Sequence, residues 1–325
     1  MTVDNGQVAD QVSEGNYLEP QMLAAIDSLE LRARMTVQGL MSGLHGSSHQ
    51  GVSVDFSQHR PYTNGDDIRH IDWKVFGRTD KLYLKQYQNE TNLRIFILVD
   101  ISGSMGFSSF PRPYWRKFDV AATLAATLSY LAIQQQDRVA LVLFSDEVKL
   151  ITRLSNSKDH WRAVLAALND ASCFMPGLRA AKDAKSTDFS RVFDQVTAKL
   201  NHRSLIVLIS DLFDSAPAVL EHSLAQLRYH HHDLVLLHTL DHAELTFPFR
   251  SPVEFEGLES EGRIKMNPAG LRRSYLERFN YFLQEVERVT RRFQFDYIRV
   301  DTSKSLAATL RQFIALRTAS ISKGR

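Results

Sequence analysis

The feature that most constrains this chain is a regular alternation of apolar and helical segments beyond residue 92. Arg94–Asp100 (RIFILVD), Arg138–Phe144 (RVALVLF) and Ser204–Ser210 (SLIVLIS) are nearly continuous apolar runs, which is typical of strands buried on both faces. Between the first two lies Lys117–Gln134, a long segment rich in Ala and Leu. Because parallel strands need crossover helices of this length, the sequence predicts an α/β fold with a doubly wound, mainly parallel sheet.

The rest of the chain extends this pattern. Further strands are predicted at Val148–Ile151, Asp233–Leu240 and Phe295–Val300, and further helices at 20–41, Asp159–Asn169, Phe189–Leu200, Pro217–Tyr229, Pro268–Arg292 and Lys304–Leu316. Glycines at 257 and 262 indicate a hairpin over 251–266. We therefore expect three parts: a flexible lead-in and helix at 1–34, an irregular β-rich segment at 35–92, and the α/β domain at 93–318 with the hairpin as an insertion.

Composition narrows the class of protein. The formal net charge of the 325 residues is +2, so no strong field favours nucleic acid. The single cysteine, Cys173, excludes an intramolecular disulfide and a cysteine-based zinc site. No apolar run of about 18 residues occurs, and Met1–Glu19 is polar, so we expect neither a membrane span nor a signal peptide, and a cytoplasmic location.

Polar side chains follow two of the predicted strands at the point where each strand ends. Asp100, Ser102 and Ser104 form an Asp-x-Ser-x-Ser motif after the first strand, and Asp211 follows Ser204–Ser210. In a doubly wound sheet, ligands gather at the carboxyl ends of the strands. Two carboxylates there would repel each other, and a divalent cation between them removes that cost. Oxygen donors of this kind favour Mg²⁺ or Mn²⁺.

A third loop supplies one more candidate ligand. Ser186-Thr187-Asp188 precedes a predicted helix, and Thr187 offers a hydroxyl, whereas Asp188 is a candidate helix cap. Each feature also has a simpler explanation, since Asp-x-Ser-x-Ser is common in turns and Asp211 is a possible N-cap. The strand context and the third loop together favour a metal site of five residues: Asp100, Ser102, Ser104, Thr187 and Asp211.

Aromatic residues follow the motif closely. Phe107, Phe110, Tyr114 and Trp115 lie within eleven positions of Ser104. If exposed, they would form a contact surface for a partner. The alternative is that they cover the edge of the sheet.

The order Asp-x-Ser-x-Ser, Thr, Asp resembles the metal-ion-dependent adhesion site of the von Willebrand factor type A superfamily over residues 93–301. The resemblance implies that Ser102, Ser104 and Thr187 touch the metal and that Asp100 and Asp211 act directly or through water. It also implies that an acidic side chain of a partner protein fills the open coordination position. Lys185 and Ser186 depart from the family, which usually carries glycine before the threonine.

A narrower resemblance begins upstream and covers about 35–301. It is to the bacterial family called domain of unknown function 58, on these residues: His45-Gly46-Ser47, Gly51, Phe56, Arg60-Pro61-Tyr62, Gly65-Asp66-Asp67, Arg69, Ile71-Asp72-Trp73, Arg78, Lys85, Asp241-x-x-Glu244, Glu259 and Glu261. The resemblance implies a MoxR-type AAA+ ATPase as partner, in assembly or maturation of client proteins. We therefore expect a metal-dependent protein–protein interaction module rather than an enzyme; the alternative is a Mg²⁺-dependent phosphoester hydrolase using Asp100 and Asp211.

Overall fold

The computed structural model describes most of the chain beyond residue 92 and part of the chain before it. The described residues are 19–45, 59–61, 75, 77–78, 81, 83–85, 93–109, 115–174, 189–213, 217–251, 253–256 and 262–322. The chain forms two compact units, one from residues 1–47 with 93–325 and one from residues 48–92. In the second unit, β1 (His59–Pro61) pairs antiparallel with β2 (Tyr83–Lys85).

The first unit is built on a six-stranded sheet. Its strands are β3 (Arg94–Asp100), β4 (Arg138–Phe144), β5 (Val148–Ile151), β6 (Leu205–Ser210), β7 (Asp233–Leu240) and β10 (Asp296–Asp301), and β8 (Val253–Glu256) pairs with β9 (Arg263–Met266) in a separate hairpin. The order in the sheet is β10-β7-β6-β3-β4-β5, with β5 alone antiparallel to its neighbour. This confirms the predicted doubly wound fold class. The strand order reverses between β3 and β6, the switch point at which such sheets bind ligands.

Nine α-helices occur among the described residues. They are α1 (Pro20–Ala24), α2 (Leu29–His45), α3 (Lys117–Gln134), α4 (Lys158–Phe174), α5 (Phe189–Thr197), α6 (Pro217–Tyr229), α7 (His242–Thr246), α8 (Pro268–Arg292) and α9 (Leu306–Ser322). The prediction of a single helix over 20–41 is wrong, because the first helix ends at Ala24 and a second begins at Leu29. The Oγ of Ser28 accepts a hydrogen bond from the Leu31 amide and so caps a second helix, α2. In the described residues, no helix is long and apolar enough to cross a membrane.

Alternation along the strands creates two apolar layers. Ile95, Ile97 and Val99 of β3 belong to the core on the side of α3, whereas Phe96 and Leu98 belong to the core on the other side. Successive side chains of a strand point to opposite faces of the sheet. The position of a residue along its strand, which we call its parity, therefore determines the helices that its side chain meets.

Helix α2 is part of the first unit. Its residues Leu29, Ala33 and Leu40 are buried in the same core cluster as Trp115 and α3. The segment that the sequence divides between a lead-in and a separate β-rich part therefore contributes a helix to the α/β core.

Candidate metal centre

The Asp-x-Ser-x-Ser motif forms a buried turn at the carboxyl end of β3. Asp100 is 1% exposed, and its Oδ1 accepts a hydrogen bond of 2.8 Å from the Ser102 amide. A short 3₁₀ turn, Gly103–Gly106, follows. It brings the Oγ atoms of Ser102 and Ser104 to 3.1 Å from each other. The structure thus gathers three of the predicted ligands within one turn.

Ser210 is a member of the site that the sequence did not single out. Its Oγ donates a hydrogen bond of 2.5 Å to Oδ2 of Asp100 and accepts one of 2.9 Å from the Leu212 amide. Ser210 is the last residue of β6, next to the end of β3 in a parallel pair. Both side chains have the parity of the layer opposite α3, which explains why the hydroxyl meets the carboxylate.

Asp211 has the other parity and lies toward α3. It is 4% exposed, and its Oδ1 accepts a hydrogen bond of 3.1 Å from the Phe213 amide. Leu212 between them is held at φ 51°, a left-handed conformation that costs a non-glycine residue about 1 kcal/mol. The backbone thus bends immediately after the strand, so that Phe213 N–H points back at the Asp211 carboxylate.

A buried lysine sits beside Asp211. Lys117, the first residue of α3, is 1% exposed, and its Nζ lies 2.6 Å from Oδ2 of Asp211 and 2.7 Å from Oε1 of Glu244. Sequence reasoning missed this residue. The available signal was a cation in the first turn of an otherwise apolar helix, where the helix dipole disfavours positive charge.

The Asp241-x-x-Glu244 motif, one of those on which the family resemblance rests, has a structural role here. The carboxylate of Asp241 accepts hydrogen bonds from the Ala243 amide, which caps α7, and from the Ser109 amide in the loop beyond the 3₁₀ turn. Glu244 Oε2 accepts from the Asp241 amide, and Oε1 is left to face Lys117. Asp241 therefore anchors the loop that follows the Asp-x-Ser-x-Ser turn, and Glu244 supplies a negative charge beside Lys117.

Behind Asp211 lies a neutral histidine. His238 on β7 is fully buried, with Nε2 2.9 Å from the Asp211 carbonyl and Nδ1 3.0 Å from the hydroxyl of Tyr297. Burial lowers its pKa to about 4. A neutral ring that donates from Nε2 to the carbonyl and accepts at Nδ1 from Tyr297 satisfies both contacts.

The two aspartates differ in their electrostatics. Burial, and then repulsion from Asp211, raise the pKa of Asp100 to about 7. Burial would also raise the pKa of Asp211, but the ammonium of Lys117 outweighs it, and the net effect lowers that pKa. For Lys117, burial lowers the pKa, and Asp211 and Glu244 more than reverse this. Among the described residues, Asp100 is thus the carboxylate of this group without a compensating positive charge.

The donor set fits a hard divalent cation. Adjacent oxygen ligands of Mg²⁺ lie about 3 Å apart, because the ligands are about 2.1 Å from the ion at right angles. The two serine Oγ atoms are hydrogen-bonded to each other at 3.1 Å, a distance at which both could also ligate one Mg²⁺ ion. In the described part of the chain, no group of three or more His, Cys, Asp or Glu side chains could hold a metal. A site here consequently depends on hydroxyl donors, which suits Mg²⁺ or Mn²⁺ better than zinc.

The other predicted site residues have different outcomes. Thr187, Phe110 and Tyr114 lie outside the described residues. Phe107 is half-buried, with its ring centroid 5.8 Å from Nζ of Lys117, and its role as a partner contact stays a prediction. The prediction for Trp115 needs correction: it is 1% exposed, packs in the α3 layer and lies under the guanidinium of Arg32, so it cannot form an exposed contact surface.

A doubly wound sheet with Asp-x-Ser-x-Ser at the end of its switch-point strand, and an aspartate after the neighbouring strand, defines the class: a von Willebrand factor type A-like domain. A family model described as "Protein of unknown function DUF58" matches residues 58–281, more than half of the chain. The chain therefore belongs to this family, as the sequence resemblance indicated.

Individual relatives are distant. The uncharacterized protein Rv1480 of Mycobacterium tuberculosis is 22% identical over 305 residues, which are 93% of this chain and 92% of the relative. The crystal structure of the conserved hypothetical protein BatB from Bacteroides thetaiotaomicron has a TM-score of 0.42 at 16% identity, covering 70% of this chain and 99% of that chain. For the SpRpn10 VWA domain the TM-score is 0.39 at 11% identity, with 68% and 94% covered.

Proposed function

We propose that this chain is a metal-dependent protein-interaction module. The observation that carries the proposal is the pair of serine Oγ atoms 3.1 Å apart at the switch point of the sheet, beside a buried carboxylate that has no cationic partner in the described part of the chain. Asp100, Ser102 and Ser104 would hold Mg²⁺ or Mn²⁺, with Thr187 and Asp211 completing the set. When bound, the cation supplies a Lewis-acidic centre that a carboxylate of another protein can ligate.

The chain's own residues prepare this centre. Ser210 and the Ser102 amide orient the two oxygens of Asp100, and Lys117 and the Phe213 amide orient those of Asp211. The burial of these groups strengthens every interaction with charge, because the local dielectric is low. An acidic side chain of the partner would therefore be attracted strongly and with defined geometry.

For the partner, family resemblance supports a MoxR-type AAA+ ATPase or one of its clients. In this arrangement, ATP hydrolysis takes place on the ATPase, and this chain contributes binding. The alternative of a phosphoester hydrolase requires a carboxylate oxygen free to take a proton from water. Asp100 and Asp211 are the carboxylates assigned to the metal ion, and Asp211 is also paired with Lys117, so neither is left to act as a general base and we propose binding rather than catalysis.

The test is capture of a purified MoxR-type ATPase from the same genome on the immobilised chain, with Mg²⁺ or with EDTA. We expect capture only with Mg²⁺, and its loss in the double variant Ser102→Ala plus Ser104→Ala. The matched control is Ser223→Ala, because Ser223 is an equally buried serine on α6 whose hydroxyl donates only to the Val219 carbonyl.

Capture that is equal in EDTA and in the double variant would show that the metal site is not the contact. Release of phosphate from p-nitrophenyl phosphate, measured on the same samples, would instead support the hydrolase if it required Mg²⁺ and both serines.

A further inference from the structure

Lys117 occupies a position that is unfavourable for a cation in two respects. Its side chain is 1% exposed, so the ammonium has lost its hydration, and it stands at the amino end of α3, where the helix dipole opposes positive charge. A hydrophobic residue would pack there without either cost. The lysine is retained against these costs by its two short ion pairs, with Asp211 and Glu244.

The three carboxylates of the site and its surroundings, Asp100, Asp211 and Glu244, are not equivalent. Asp211 and Glu244 share the ammonium, whereas the hydrogen bonds that Asp100 accepts come from neutral groups of Ser102 and Ser210. With all groups ionised, three negative charges face one positive charge. The surplus of two negative charges equals the charge of a divalent cation. Of the two carboxylates assigned to the metal ion, however, Asp211 is already compensated by Lys117.

We propose that Lys117 is an internal competitor of the divalent cation: by holding Asp211 it keeps the intrinsic metal affinity of the site low, so that tight binding requires an acidic group from a partner. This inference rests on the proposed function. Lys117 acts through Asp211 and is a positioning residue, not a metal ligand.

The geometry indicates that Lys117 competes with the metal ion for Asp211 and does not merely stabilise the site. The ammonium lies 2.6 Å from Oδ2 of Asp211, which is the contact distance of a strong charge-assisted hydrogen bond. Oδ1 of Asp211 is engaged by the Phe213 amide. A cation that ligated Asp211 directly would share its carboxylate with these donors, and the nearby ammonium would repel the cation.

The experiment is a titration of the full chain with MgCl₂ alone, followed by calorimetry, for the wild type and Lys117→Met. We expect the variant to bind Mg²⁺ more tightly, on the order of tenfold, because an opposing unit charge has been removed from beside the cation. Lys117→Arg restores the charge and should return the affinity toward the wild-type value. Arg116→Gln removes a positive charge one residue away that pairs with Asp119 instead, and it should leave the affinity unchanged.

A lysine with a purely structural role would give the opposite result: Lys117→Met would bind Mg²⁺ equally or more weakly, and that outcome overturns the inference. If neither the wild type nor Lys117→Met binds Mg²⁺, the proposed function fails and the inference with it. If the wild type binds and only the tightening is missing, the inference alone fails.

Lys117→Met leaves two carboxylates without their cation, which favours the unfolded state in EDTA. Circular dichroism of this variant at increasing MgCl₂ then tests the inference. Refolding at a Mg²⁺ concentration below the wild-type dissociation constant supports competition. Failure to refold at concentrations that saturate the wild type overturns it.

Discussion

Single residues in this site work through protonation states that their surroundings impose. His238 is the clearest case outside the ligands, because its ring must stay neutral to donate to the Asp211 carbonyl and accept from Tyr297. Its folded-state pKa of about 4 lies well below the value of 6.5 for an unperturbed histidine. The ring thus couples the position of Asp211 to the protonation of one buried group.

We predict that His238 costs the metal-free protein stability as the pH falls from about 7 to about 4, against an opposite contribution from Asp100, whose folded-state pKa is raised to about 7. Over that range the unfolded chain takes up a proton at residue 238 and the folded chain does not, so the contribution present above pH 6.5 is lost toward pH 4, up to about 3 kcal/mol. Urea unfolding in EDTA at several pH values measures this. His238→Gln should remove this loss, so that its stability gains on that of the wild type as the pH falls, and His222→Gln, an exposed histidine on α6, should keep the wild-type profile. Identical profiles for the wild type and His238→Gln would contradict the prediction.

Among the elements, the strands were the easiest to predict and the short helices the hardest. β3, β4 and β7 are apolar runs whose composition alone indicates burial on both faces. α7 has five residues, too few to show a helical period, and its capping box by Asp241 and Glu244 was visible only as part of a family motif. The break between α1 and α2 was missed because apolar spacing continues across it.

The site was predictable to the extent that it is local in sequence. Asp100, Ser102 and Ser104 follow one strand directly, and Asp211 follows another. Lys117 reaches Asp211 across 94 positions, and Ser210 reaches Asp100 across 110. Contacts of this kind depend on strand order and on the parity of side chains at strand ends, which neither hydrophobic periodicity nor motif spacing encodes.

Helix α2 allows a prediction at the scale of an element. Because Leu40 is fully buried against the α3 layer, Leu40→Ala should lower the free energy of unfolding by about 2–5 kcal/mol. Leu31→Ala on the exposed side of the same helix, where the side chain is 48% exposed, should change it by about 0.5 kcal/mol or less. Urea unfolding monitored by circular dichroism measures both. Equal effects would mean that α2 does not pack as described.

For the whole molecule, the site links distant parts of the chain. β3 with its 3₁₀ turn and β6 with the bend at Leu212 meet only in the folded sheet. The unfolded chain therefore offers no comparable cluster of oxygen donors. Any ligand held by both strand ends must bind the native state in preference to the unfolded state.

We predict that Mg²⁺ raises the thermal stability of the protein, by about 2.7 kcal/mol at a hundred times its dissociation constant. Differential scanning fluorimetry with increasing MgCl₂ measures the shift in Tm. Asp100→Asn should abolish the shift. Asp146→Asn is the control, since Asp146 pairs with Lys149 in the turn between β4 and β5. A shift of equal size in Asp100→Asn would place the responsible ion elsewhere.

The triad of Lys117, Asp211 and Glu244 also constrains how this protein can change over evolution. Replacing the lysine alone leaves a buried and a partly buried carboxylate without their cation, and replacing Asp211 or Glu244 alone leaves the ammonium with half of its partners. Single steps away from the triad therefore pass through a destabilised intermediate. We expect relatives to keep all three residues or to have exchanged the lysine together with a carboxylate, so that these positions covary although they are far apart in the sequence.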